Sequence, residues 1–194
     1  VWIDSDEEGG PAYQWVDISS TGTAITGFTD DNVLGPFPIG FSFPFYENYY
    51  TEVAVSSNGY LIFGSTTSAY SNQNIPSSST PNNVLAWFWN DLTGGGNVRY
   101  QNMGDRWIIQ FNNYPDLSGT GTITAQVHLF PTGHIRIYYN NITSGFNVTS
   151  STIGIENNAG TIATNINYNS AYVHNGLAVA IDFPIPTFIT AVTP

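Results

Sequence analysis

The sequence predicts an all-β protein, a two-sheet antiparallel β-sandwich, jelly-roll-like, of about a dozen strands. Apolar residues nowhere recur with the 3.6-residue period of a helix, whereas several segments alternate apolar and polar with period two. Breaks rich in Gly, Pro or Asn recur at the roughly 8–12-residue spacing of sandwiches and barrels. Two tight hairpins can also be read directly from turn chemistry.

The first strand is expected over Tyr13–Ile18 and the next over Phe37–Tyr46. Val53 and Val55 then alternate with Glu52 and Ala54 before Asn58-Gly59, expected to supply the two positive-φ residues of a tight hairpin turn, leads into Tyr60-Leu61-Ile62-Phe63. Strands over Val84–Trp89, Val98–Gln101 and Trp107–Phe111 follow. From Thr122 to Phe130, Ile123, Ala125, Val127 and Leu129 share one face, and Thr122, Thr124, Gln126 and His128 share the other, which should be wet. Pro131-Thr132-Gly133-His134 turns this strand into Ile135–Tyr139, the second hairpin. Thr152–Glu156, Thr161–Tyr168 and Leu177–Phe183 complete the set. The expected core is Val53, Val55, Leu61, Phe63, Trp107, Ile109, Val127, Leu129, Ile135 and Ile137. Ser65–Asn83 is the longest connection and is expected to cross between sheets. This organisation implies a single domain over residues 1–183, followed by the uncharged segment 184–194.

Composition narrows the function classes. Only 9% of residues are charged against a usual share near ~25%, and 41% are hydrophobic, which is too apolar for disorder. Fourteen acids face Arg99, Arg106 and Arg136, with no lysine, for a formal charge of −11. That field repels phosphate backbones and anionic lipid, which argues against nucleic acid and against membrane association. No run of 18 apolar residues exists, so no membrane insertion is expected. The absence of cysteine removes disulfides, thiolate nucleophiles and thiolate metal sites together. An acidic, lysine-free chain rich in Asn, Thr, Ser and Gly, starting at Val1 rather than Met, is expected to be a trimmed, exported product.

A family resemblance rests on an ordered series of segments. It opens with Val1-Trp2-Ile3-Asp4-Ser5-Asp6-Glu7-Glu8-Gly9-Gly10-Pro11 and Tyr13-Gln14-Trp15-Val16-Asp17-Ile18. It continues through Gly35-Pro36-Phe37-Pro38-Ile39-Gly40-Phe41, Phe43-Pro44-Phe45-Tyr46, Ser56-Ser57-Asn58-Gly59-Tyr60 and Pro81-Asn82-Asn83 to Trp89-Asn90-Asp91-Leu92. Ile153-Gly154-Ile155-Glu156-Asn157 and Tyr172-Val173-His174-Asn175-Gly176-Leu177 close it. The series resembles a β-sandwich module of secreted bacterial proteins, appended to subtilisin-like proteases and cell-surface proteins. The resemblance implies an extracellular, cell-surface module without catalytic residues.

Candidate chemistry is sparse. Asp4, Asp6, Glu7 and Glu8 crowd four carboxylates into one segment, and Asp30-Asp31-Asn32 forms a second oxygen-rich turn; both are candidate Ca²⁺ ligands, although neither has the spacing of an EF-hand loop. Asp91 reads as a turn cap after Trp87-Phe88-Trp89. His128, His134 and His174 show no metal-ligand spacing, and no nucleophile elbow is present. Neither an organic cofactor nor a catalytic residue is expected. Asn141 and Asn147 begin Asn-x-Thr triplets, acceptors for glycosylation where the machinery exists. Adjacent aromatics on a strand face opposite ways, so some of Trp87, Phe88, Trp89, Tyr49, Tyr50, Tyr138 and Tyr139 should need a ligand, a neighbouring subunit or a covering loop.

Phe188, Ile189, Thr190, Ala191 and Val192 are β-prone and uncharged, preceded by Pro184 and Pro186, which suit a hinge. The expected function is a non-enzymatic structural subunit that assembles with copies of itself into a surface filament, this segment serving as the donor strand. The alternative is a carbohydrate- or calcium-dependent adhesion module, with glycans as partners; a hydrolase stands third.

Overall fold

In a computed structural model, the structure describes residues 1–117 and 120–183. The described chain forms β1 (Trp2–Asp4), β2 (Thr23–Ile25), β3 (Val33–Phe45), β4 (Asn48–Ser56), β5 (Tyr60–Ile62), β6 (Val84–Trp89), β7 (Asn97–Asn102), β8 (Trp107–Pro115), β9 (Thr122–Leu129), β10 (Ile135–Ile142), β11 (Thr152–Glu156), β12 (Ala163–Tyr168) and β13 (Ala178–Ile181). Seven strands make one sheet in the order β1-β13-β10-β9-β8-β7-β2, and six make the other in the order β12-β11-β6-β5-β4-β3. Every ladder between them is antiparallel. The molecule is thus an all-β two-sheet sandwich. Both expected hairpins are present, as the β4–β5 and β9–β10 pairs, but in the first turn Gly59 alone of the expected pair has positive φ, the Asn58 side chain being engaged with Asp31 and the Leu92 amide.

All ten expected core residues are buried in one cluster between the sheets. Alternation explains why: on β9 the apolar set faces the opposite sheet, and on β10 Ile135, Ile137 and Tyr139 match it across the ladder. Tyr139 sits at the centre, its hydroxyl donating to the Trp87 carbonyl at 2.5 Å. At Gly59, whose φ is +78°, one carbonyl accepts from the amides of both Trp87 and Phe88. That two-against-one pairing is a β-bulge, and it turns Trp87 and Phe88 together into the core although they are consecutive.

Three expectations need correction. Tyr13–Ile18 joins no ladder, because its backbone is bound by side-chain amides: Gln126 Oε1 accepts from Val16 N and Gln110 Oε1 accepts from Ile18 N. The polar face of β9 is consequently dry, with Gln126 and His128 fully buried beneath this strap. Ser65–Asn83 does not cross between sheets, since β5 and β6 are hydrogen-bonded neighbours. It returns to the same sheet and covers its outer face, where Tyr60, Ile62, Val84, Ala86 and Trp89 form a second apolar cluster.

Candidate functional site

The acidic segments meet different fates. Asp4 ends β1 almost completely buried, its Oδ1 accepting from the Asp6 amide at 3.0 Å and its Oδ2 from the Tyr172 hydroxyl at 2.6 Å. Asp6 lies 2.9 Å from His174 Nε2, and that contact raises the imidazole above its ordinary range. Two of the four carboxylates in Asp4–Glu8 therefore tie the N-terminal segment to Tyr172 and His174, while Glu7 and Glu8 are exposed.

The second acidic turn is brought together with a residue read from sequence as a cap. Carboxylate oxygens of Asp30, Asp31 and Asp91 lie within 4.8 Å of one another at one corner of the sandwich. Asn58 builds this corner: its Nδ2 donates to Asp31 Oδ1 at 2.9 Å and its Oδ1 accepts from the Leu92 amide at 2.9 Å. Ser57 Oγ accepts from Asn32 N, and Ser68 Oγ donates to the Asp31 carbonyl. Partial burial, followed by the charges of Asp31, Asp30 and Asp116, pushes Asp91 above the usual carboxylate range. Oxygen-only, with Asp30 and Asp31 exposed and Asp91 partly buried, the trio has the donor chemistry of a Ca²⁺ ligand set, and Asp91 is the member that local sequence could not supply.

The imidazoles bind separately. His128 Nε2 is 2.9 Å from Gln126 Oε1, His134 Nδ1 is 2.6 Å from Asp182 Oδ1, and His174 pairs with Asp6. The aromatic expectation resolves into coverage by the chain itself. Trp89 Nε1 donates to the Ala69 carbonyl, and the Tyr60 hydroxyl donates to the Thr67 carbonyl while accepting from Ala69 N. Tyr138 is capped by the Tyr13 ring at 5.5 Å. Tyr49 stays 74% exposed, beside Tyr50, whose hydroxyl accepts from Asn83 Nδ2 at 2.7 Å.

Asn141 is exposed at the end of β10. Asn147 is half-buried, its amide oxygen accepting from the Thr149 amide and hydroxyl. The expected assembly residues Phe188–Val192 lie outside the described residues. Among the described residues no helix is long and apolar enough to cross a membrane.

Two open antiparallel sheets, a core closed by its own loops and exposed acidic turns define a β-sandwich module. A family model described as NIDO related matches residues 8–181, and the chain belongs to that family, whose domain is of extracellular type. No curated protein and no solved structure matches the chain.

Proposed function

We propose that the protein is a non-enzymatic structural subunit at the cell surface that assembles with copies of itself by β-strand donation, Phe188–Val192 of one copy pairing with a sheet edge of the next. The observation that supports this reading is that both sheets are open rather than closed into a barrel. Each therefore ends in strands with main-chain donors and acceptors to spare, beside a chain that carries an uncharged, β-prone segment. Membership of an extracellular domain family and the likeness to sandwich modules of secreted bacterial proteins agree with such a setting. Donor and acceptor surfaces differ, so the contact is heterologous and repeats without closing, which yields a filament. Without lysine or cysteine, neither lysine isopeptide links nor disulfides join the copies.

Electron microscopy of the purified chain tests this. Long uniform fibres that disappear on deletion of residues 184–194, with the sandwich still folded, are the expected result. Undiminished fibres from the shortened chain rule out donation by this segment.

A further inference from the structure

Among the described residues the two sheets end in four edge strands, and these are not equivalent. The seven-stranded sheet ends on β1 and β2, each only three residues long. The six-stranded sheet ends on β3, interrupted by Pro36, Pro38 and Pro44 and by two register shifts, and on β12. Proline supplies no amide to a ladder, so β3 is a poor template. The β12 edge has six residues, no proline and no charge. Exposed apolar side chains flank it, Ile162 at 52% and Tyr168 at 42%.

Charge favours the same edge. Copies carrying a formal −11 repel one another, so two of them meet most readily where neither presents a carboxylate. No Asp, Glu, Lys or Arg occurs from Asn157 to Ile181, and none from Phe183 to Pro194. Length matches as well: at ~3.3 Å per residue a five-residue donor spans about 16 Å of an edge of about 20 Å.

We infer that the β12 edge is the acceptor, taking Phe188–Val192 of a second copy as a seventh strand. This rests on the strand-donation reading above. The described chain reaches Phe183 beside the β3–β4 turn: its ring is 5.8 Å from Tyr46, whose hydroxyl donates at 3.0 Å to the carbonyl of Ile155 on β11, the strand next to β12. The chain's own segment is therefore the competing occupant, and the test must separate the two.

Amide hydrogen exchange on the full chain, dilute and then assembled, makes that separation. The expected result is new protection, on assembly only, of the Ala163–Tyr168 amides that point away from β11. Protection of those amides in the dilute monomer assigns the edge to the chain's own segment and overturns the inference, as does new protection confined to β1, β2 or β3. In parallel, Ile162→Asp combined with Tyr168→Asp places carboxylates at both ends of the edge on exposed side chains. Fibre yield should fall at least tenfold at low salt with an unchanged melting temperature, and recover in part at high salt. If this variant assembles normally while deletion of 184–194 still abolishes fibres, donation stands and β12 is not its acceptor. If the full chain forms no fibres, the donation reading itself falls.

Discussion

At the scale of single residues, His128 is the most perturbed imidazole. Burial under the strap, then the nearby Arg106 charge, lowers it to about 3, and its Nε2 is satisfied by Gln126. The unfolded chain binds this proton near pH 6.5 and the folded chain does not, so the group removes stability as pH falls from about 6.5 to about 3, by ~1.4 kcal/mol per pH unit. Asp17, held low by the Gln110 amide, loses its contribution in the same direction. His128→Gln should therefore flatten the fall of melting temperature with acid; an equally steep profile in the variant assigns the slope to other groups. Gly59 is the second sensitive position. An added Cβ would lie 1.9 Å from the Phe88 carbonyl at a φ of +78°. Gly59→Ala should cost more than the ~1–2 kcal/mol of left-handed backbone alone, read as a lowered denaturation midpoint.

At the scale of elements, the strap over β8 and β9 is held by amides where a strand would use its ladder. Gln126 accepts from Val16 N at 3.3 Å and donates to Val16 O at 2.6 Å, while Gln110 accepts from Ile18 N at 3.0 Å. Gln110→Ala leaves the buried Ile18 amide unpaired, at about 1–3 kcal/mol. The variant should lose stability by that amount and gain hydrogen exchange selectively at residues 13–18; uniform exchange with no loss of stability would show that the strap does not depend on this side chain. The β6 bulge works at the same scale: without it Phe88 would face outward, and the stacking of Trp87 on Phe111 at 4.2 Å would lose its flanking partner.

For the whole molecule, sparse charge concentrates electrostatics in a few places, and among the described residues one corner gathers the carboxylates of Asp30, Asp31 and Asp91. Partial burial, followed by the like charges of Asp31, Asp30 and Asp116, raises Asp91. In the presence of a chelator, Asp91→Asn should melt no lower than the natural chain, because it relieves repulsion. If added Ca²⁺ raises the natural chain's melting temperature, the same variant should lose that rise. A variant that melts clearly lower in chelator would show that the ionised Asp91 supports the fold.

Period-two alternation in Thr122–Leu129 and Ile135–Tyr139, with Asn58-Gly59 and Gly133 as turns, determined by itself that the chain is all-β and which side of those strands faces the core, because those signals are local. Tertiary structure alone decided what covers the outer faces. Gln126 and His128 look solvent-facing in a strand read in isolation, and they are dry because a segment over a hundred residues earlier, Val16, lies on them. Trp89 is buried by Ala69 for the same reason. Asp91 joins Asp30 and Asp31 because Asn58 fastens two loops distant in sequence. Alternation records which side of a strand is apolar, but burial of the other side depends on chain that returns from elsewhere, and no spacing within the strand encodes that return.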